Sequence, residues 1–143
     1  TLDPKVIKGL NLQARPNVSY GYNTFFLSEK VDFSVGHWRG YPITSVRQPA
    51  ETLMFTDSGG LRSGLLYPTT DITSPKFITS SGAPEPTVHA RHAHRANVVW
   101  LDGHVSAEKL APYDRLRAPG GTDIGYLDPN NDDVRDDDWF DRD

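Results

Sequence analysis

The segment Asn97–Glu108, NVVWLDGHVSAE, decides the fold that we predict for this chain. Two runs of β-prone residues flank Asp102-Gly103, a dipeptide that favours a two-residue type I′ hairpin turn. In that register Trp100 lies opposite Val105, and Val98 shares their face of the hairpin. We therefore expect an antiparallel hairpin with these three side chains in the core.

Other segments extend the prediction to a sheet. TLMFTD, Thr52–Asp57, is the clearest strand of the first half and is expected in the centre of the sheet. The aromatic run SYGYNTFFL, Ser19–Leu27, is predicted as a buried strand, and Glu108–Leu116 as a short helix that Pro112 limits. Residues 61–87 contain four prolines and are predicted as a long loop with short strands at most.

The composition limits the class of protein. A chain of 143 residues with 12 Gly and 11 Pro fits one domain with many turns and argues against a helical bundle. There is no Cys, which excludes disulfides, thiol chemistry and zinc ribbons, and no run approaches the ~20 apolar residues of a membrane span. We predict a single α+β to mainly β domain, 1–143, with an antiparallel sheet and long loops. Within it, 1–15 is an extended lead-in and 118–143 an acidic C-terminal segment.

The charge is concentrated at one end of the chain. Residues 123–143 hold nine Asp and two Arg, a local charge of −7, whereas the net charge of the chain is −4. The remaining 122 residues therefore sum to +3. An acidic end on a mildly basic body disfavours a nucleic-acid partner and favours a cation or a basic surface on a neighbour.

Three segments in the same order resemble one bacterial family. The string RHAHRANVVWLDGHV contains His92, nine further residues and then Asp102-Gly103, while TLMFTDSG and SYGYN precede it. Together they resemble the pilin-like proteins of planctomycetes and verrucomicrobia that carry a prepilin-processing-associated His-x9-Asp-Gly C-terminal domain. The resemblance is carried by Arg91, His92, Asn97, Asp102, Gly103, His104 and Asp57.

The resemblance implies a pseudopilin-type head with a structural role in an extracellular or cell-surface filament or secretion pseudopilus, and no catalysis. The implied partners are identical copies or related pilin-like subunits. Family members also carry an N-terminal prepilin signal and a long hydrophobic helix. The sequence begins at Thr1 without either, so we expect a processed or truncated piece. We also expect at least one terminus to pack on a neighbouring copy, for example as a strand added to its sheet edge.

A cluster of histidines offers a different chemistry. His89, His92 and His94 precede the hairpin strand and His104 follows its turn. A catalytic zinc centre needs three converging ligands and an open position. In an extended chain, however, His89 faces away from His92 and His94. We therefore predict structural roles, with His92 bonded to backbone near the hairpin base and Asn97 satisfying a donor at the strand start.

A nucleophile motif is also missing from the sequence. Ser58 precedes Gly59-Gly60, but the Gly-x-Ser-x-Gly pattern of a nucleophile elbow does not surround it. Asp57 ends an apolar strand, and we predict that it caps a turn.

The acidic end predicts a calcium site. In LDPNNDDVRDDD the oxygen-bearing residues Asp128, Asn130 and Asp132 alternate, as positions one, three and five of a calcium loop do. The Gly of an EF-hand is replaced by Asp133. The major pseudopilins, which this chain resembles in its acidic end, bind calcium there. The candidate ligands are Asp128, Asn130, Asp132, Asp133, Asp123 and Asp136. A solvated acidic tail is the alternative interpretation.

Two further functions stay open at this point. One is a zinc- or calcium-dependent hydrolase built on the histidines, which requires converging ligands beside a pocket. The other is a monomeric cell-surface binding module that uses exposed aromatic residues such as Trp38 and Tyr41. A filament subunit should instead bury ends and loops against identical copies.

Overall fold

The computed structural model describes residues 20–32, 37–76, 85–118, 120–127 and 139–140. Their regular structure is almost entirely β-strand. The strands are β1 (Tyr20–Tyr22), β2 (Ser28–Asp32), β3 (His37–Gly40), β4 (Leu53–Asp57), β5 (Gly60–Arg62), β6 (Leu65–Tyr67), β7 (Val88–Ala90), β8 (Arg95–Trp100), β9 (Val105–Lys109), β10 (Leu116–Arg117) and β11 (Asp123–Gly125). The helical elements are α1 (Thr24–Leu27) and the 3-10 turn Ile43–Ser45. The lead-in predicted for 1–15 lies outside the described residues.

Four strands form the main antiparallel sheet, in the order β1-β4-β8-β9. β4 lies between β1 and β8, which confirms the prediction that Thr52–Asp57 forms a central strand. β8 pairs with β4 on one side and forms a hairpin with β9 on the other, so the predicted antiparallel sheet of Thr52–Asp57 and the two hairpin strands is confirmed. β2 and β3 form a further hairpin, and β5 and β6 form another at the start of the predicted loop 61–87, for which short strands were expected.

A second sheet, in the order β10-β11-β7, continues from the first. Two isolated antiparallel bridges connect them: Ser58 with Val88 just after β4, and Leu110 with Leu127 just after β9. The sheets therefore enclose one core and form a single small, mainly β domain. Its central cluster comprises Leu53, Ile72, Val88, Ala90, Ala96, Val98, Trp100, Leu110, Leu127 and Phe140.

The β8–β9 hairpin loop has three residues and not the predicted two. The Trp100 N–H donates to the His104 carbonyl at 3.0 Å, and the Gly103 N–H donates to the Trp100 carbonyl at 2.9 Å. Gly103 has the positive φ that was predicted, 94°. This pattern is typical of a type I turn that is followed by a glycine bulge.

The extra loop residue shifts the pairing of the hairpin by one position. Val99 pairs with Val105, and Val98 pairs with Ser106. Val98 and Trp100 are buried as predicted, but Val105 lies on the opposite face and is 63% exposed. The predicted core position of Val105 was therefore wrong, because a shift of one residue moves a side chain to the other face of a strand.

Two other local predictions were wrong for identifiable reasons. The predicted strand Ser19–Leu27 ends at Tyr22. The Asn23 carbonyl accepts the Leu27 N–H, and this bond closes the single turn of α1. The helix predicted after Glu108 does not form. β9 continues to Lys109 and the chain then pairs with the second sheet, so its backbone hydrogen bonds go to strand partners.

The loop geometry leads to a stability prediction at Gly103. We expect Gly103→Val to lower the free energy of unfolding by about 1–2 kcal/mol, because a β-branched residue resists positive φ. A Cβ at this position would meet nothing within 4 Å, so the loss comes from the backbone alone. Gly103→Asn is the matched control and should lose less, since Asn tolerates this conformation. Urea denaturation measures both, and equal losses would contradict the explanation.

None of the helices in the described ranges is long and apolar enough to cross a membrane.

Candidate functional site

Four of the seven residues that carry the sequence motif lie together around one buried carboxylate. Asp57, the last residue of β4, is 1% exposed. Its Oδ2 accepts the backbone N–H of Asn97 at 2.7 Å and lies 3.3 Å from His92 Nε2. Its Oδ1 lies 3.4 Å from Arg91 Nε. Residues that are far apart in sequence thus converge on Asp57, and we call these four residues the Asp57 cluster.

A tight turn brings Arg91 and His92 to this carboxylate. His92 and Arg95 exchange backbone hydrogen bonds of 3.0 Å across Ala93-His94, whose φ values are 50° and 62°. Two consecutive positive φ values define the type I′ turn. The type I′ turn that was predicted at Asp102-Gly103 is thus absent there, and a turn of this type lies between β7 and β8 instead. Ala93 and His94 form it, although they adopt positive φ less readily than Asn-Gly.

The Asp57 cluster joins the two sheets. Arg91 Nη2 donates to the Ser58 carbonyl, directly beside the Ser58–Val88 bridge. Asp57 was predicted to cap a turn, but it accepts a backbone N–H from the neighbouring strand β8 instead. Asn97 takes part through its backbone N–H. The arrangement fixes the end of β4 against the start of β8 and the end of β7.

His89 lies behind this cluster. It is buried in β7, and its Nε2 lies 2.8 Å from Thr122 Oγ1. Burial lowers the pKa of His89 below its usual value, and the nearby positive charge of Arg91 lowers it further. A neutral imidazole that is hydrogen-bonded inside a core is the simplest account of these facts.

The lowered pKa of His89 predicts a pH-dependent stability. Because the unfolded state takes up a proton near pH 6.5 and the folded state does so only at lower pH, stability should fall as the pH drops below this value. The slope for one proton is at most about 1.4 kcal/mol per pH unit. Urea denaturation between pH 7.5 and 5 should show a flatter dependence for His89→Gln. The same slope in both proteins would contradict the prediction.

The remaining motif residues lie beyond the other end of β8. Asp102 Oδ1 accepts the His104 N–H at 3.0 Å and lies 2.6 Å from His104 Nδ1. The hydrogen bond from the His104 backbone N–H lowers the pKa of Asp102, and the bond with the His104 ring lowers it further. The His104 ring stacks on Trp100 with centroids 5.5 Å apart. The motif thus describes two separate structural features.

The histidines have different partners. His92 lies beside Asp57, His94 Nδ1 is 3.9 Å from Asp123, and His104 bonds to Asp102. Within the residues that the structure describes, no group of three His, Asp or Glu could hold a metal ion.

Of the predicted calcium ligands, the structure describes Asp123. It lies in β11, and its Oδ1 accepts a hydrogen bond of 2.8 Å from Arg117 Nη1. The other candidates lie outside the described residues: Asp128, Asn130, Asp132, Asp133 and Asp136. The binding-module interpretation depends on Tyr41 and Trp38. Tyr41 is half-buried, and the Trp38 side chain is not among those that the structure describes.

An aromatic pair near the C-terminus is fixed to the core. The Leu53 N–H donates to the Trp139 carbonyl at 2.7 Å, and Asn23 Nδ2 donates to the Phe140 carbonyl at 2.9 Å. The Trp139 ring meets Trp100 edge-on at 4.8 Å. We call Trp139-Phe140 the aromatic anchor. The role of Asn23 was not predicted, and its only sequence signal is a polar residue inside an aromatic run.

Comparisons with protein-family models, with characterised proteins and with solved structures find no match to this chain. The functional argument therefore depends on its own residues and their geometry.

Proposed function

We propose that this chain is the pseudopilin-type head of a structural subunit, which assembles with identical copies or related pilin-like subunits at the cell surface. The main support is that the residues of the Asp57 cluster contact one another within the domain. The Asp57 carboxylate is almost fully buried, and its partners belong to the same chain. A catalytic carboxylate has to reach a substrate, whereas this one is suited to fixing the shape of a subunit.

A partly exposed apolar row gives further support: Phe55 is 36% and Val105 63% exposed, while Tyr22 and Val99 are half-buried. Tyr22 pairs with Phe55, Phe55 with Val99, and Val99 with Val105, so the row crosses all four strands of the main sheet. It lies on the face opposite to Val98 and Trp100. Exposed apolar surface of this kind is typical of a protein that contacts another macromolecule. A filament subunit would cover the row by packing against its neighbours.

The test is to locate the protein in cells that produce it. Antibodies against the 143-residue chain, with immunogold labelling, should decorate filaments or short surface assemblies, and the sheared surface fraction should contain the protein. Pre-absorption of the antibody with the purified chain is the control. Labelling confined to monomeric soluble protein would reject the filament and favour the binding module.

Calcium is part of the proposal. Leu127 and Phe140 are buried, and the Trp139 carbonyl accepts the Leu53 N–H, so both flanks of the acidic segment are fixed to the body. We expect calcium to bind there through Asp128, Asn130 and Asp132, with Asp133, Asp136 or Asp123 completing the shell. Calcium takes six to eight oxygen ligands, and sites of extracellular modules have dissociation constants of ~10⁻⁴–10⁻³ M.

Thermal denaturation with calcium and with a chelator measures this prediction. At about 10 mM calcium the expected stabilisation is about 1.4–2.7 kcal/mol, and Asp128→Ala or Asp132→Ala should abolish it. Magnesium serves as the control, because it demands a stricter octahedron and retains its water. An unchanged melting temperature after chelation would reject a structural role of calcium.

A further inference from the structure

The Asp102-Gly103 pair in the β8–β9 loop brings a carboxyl and an unhindered main-chain nitrogen together. The nitrogen that follows an Asp can attack the side-chain carboxyl of that Asp, and a glycine there has no Cβ to hinder the approach. Among the Asp residues of this chain, only Asp102 is followed by Gly. The Asp102 side chain is 38% exposed, and a Cβ at Gly103 would meet nothing within 4 Å. Solvent therefore reaches the pair, and no neighbouring side chain blocks it.

The next smallest residue after an Asp in this sequence is Ser58, which follows Asp57. Asp57 is buried, and its carboxylate lies between the Asn97 N–H and the guanidinium of Arg91. These partners keep that carboxylate away from the nitrogen of Ser58. Asp102 is therefore the more open of the two positions, and Asp57 serves as an internal reference.

The reaction that this pair can undergo has two steps and needs only water. In the first step the Gly103 nitrogen attacks Cγ of the protonated Asp102 carboxyl. A bond from nitrogen to Cγ forms, the bond from Cγ to the hydroxyl oxygen breaks, and the amide proton leaves with that hydroxyl as water. In the second step water opens the cyclic imide at either carbonyl. One opening returns aspartate, and the other gives isoaspartate, whose main chain runs through Cγ and whose α-carboxylate is free.

Two bonds from His104 hold the Asp102 carboxylate away from this reaction. Asp102 Oδ1 accepts the His104 N–H at 3.0 Å and lies 2.6 Å from the ring Nδ1. The backbone bond, and then the ring bond, lower the pKa of Asp102 and keep the carboxyl ionised. An ionised carboxylate is a poorer electrophile than the acid. Ring closure also requires the Asp102 side chain to leave His104.

The nucleophile is restrained as well. The Gly103 N–H donates to the Trp100 carbonyl at 2.9 Å, and this bond must open before the nitrogen attacks. The His104 ring stacks on the Trp100 ring with centroids 5.5 Å apart, so the stack fixes the ring nitrogen that contacts Asp102. The same side chain is therefore well placed to control how often the loop reaches a reactive geometry.

We propose that Asp102-Gly103 is a site of spontaneous isoaspartate formation, and that the His104 side chain limits the rate by holding the Asp102 carboxylate in place. His104 is a positioning residue here, because it acts through Asp102 and not on the reacting nitrogen. Isoaspartate adds one atom to the main chain of a loop that is bonded to the Pro49 and Thr52 carbonyls. The modification therefore disturbs the fit of this loop against the segment before β4, and it accumulates with the age of the chain.

The experiment follows isoaspartate in the full chain during several weeks in neutral buffer. Methylation by an isoaspartyl methyltransferase measures the total amount, and peptide mapping locates it. His104→Phe removes the ring nitrogen but keeps an aromatic ring to stack on Trp100. We expect slow formation at Asp102 in the unmodified chain and formation about tenfold faster in His104→Phe, because a hydrogen bond to a charged group is lost. His94→Ala is the matched control, since His94 is an exposed histidine in the other turn, and it should keep the slow rate.

Two further variants complete the test. His104→Ala removes the ring and the stack together and should react at least as fast as His104→Phe. Adding Asp102→Glu to His104→Phe should remove the signal, because the longer side chain closes a larger and less favourable ring. Thermal denaturation and an unmodified Asp57 verify that each variant is folded. Rates in both His104 variants that are equal to or below that of the unmodified chain, or isoaspartate that is absent from residue 102 in all of these proteins, would overturn the proposal.

Discussion

Replacing Phe140 by Ala is expected to lower the free energy of unfolding by about 3–5 kcal/mol, the largest effect of any single substitution predicted for this protein. Phe140 is 1% exposed and belongs to the central core cluster. Its ring lies 6.2 Å from that of Phe26, and its carbonyl accepts the Asn23 side chain. Truncation therefore removes buried apolar surface and leaves a cavity between three segments of the chain.

Urea denaturation followed by tryptophan fluorescence measures this loss. Phe55→Ala is the matched control, since Phe55 is 36% exposed on the outer face of the main sheet. It should cost about 1 kcal/mol, because less apolar surface returns to water and no closed cavity forms. A loss for Phe140→Ala no greater than that for Phe55→Ala would contradict the role of the aromatic anchor.

Asp57→Ala is expected to cost about 2–4 kcal/mol. Removing the carboxylate leaves the Asn97 N–H without its acceptor and Arg91 without its counter-ion. Loss of one partner of a buried pair typically costs about 3–5 kcal/mol, and the partial exposure of Arg91 and His92 reduces this value.

Two further variants separate charge from hydrogen bonding at this position. Asp57→Asn keeps an oxygen that can accept the Asn97 N–H but removes the charge, so it should lose less than Asp57→Ala. A double-mutant cycle with Arg91→Ala should give a coupling energy of about 1 kcal/mol or more. Additive losses would mean that the contact between Arg91 and Asp57 contributes nothing to folding.

The strands of the main sheet could be predicted because their patterns are local, whereas the hairpin register could not. An Asp-Gly pair fits both a two-residue turn and a three-residue loop with a glycine bulge. The choice is made by distant partners: the Leu101 N–H donates to the Thr52 carbonyl, and the Asp102 N–H donates to the Pro49 carbonyl. These bonds hold the loop against the segment before β4, and no pattern within the hairpin sequence predicts them.

The Asp57 cluster was predicted as separate residues and not as one site. The sequence gives the spacing of Arg91, His92 and Asn97, but it does not show that the end of β4 faces them. That proximity depends on the order of strands in the sheet and on the turn at Ala93-His94. The burial of His89 depends likewise on Thr122, 33 positions away, which supplies its hydrogen-bond partner.

The bond from Asn23 to Phe140 joins residues 117 positions apart. Contacts of such long range form late in folding, because the entropy of closing the chain must be lost before the contact returns any enthalpy. The nucleus is therefore expected in the local β8–β9 hairpin, and docking of the last aromatic ring should be the slow phase. Until that phase ends, Trp100 and Leu53 lack their cover, so refolding at high concentration should lead to aggregation that dilution prevents.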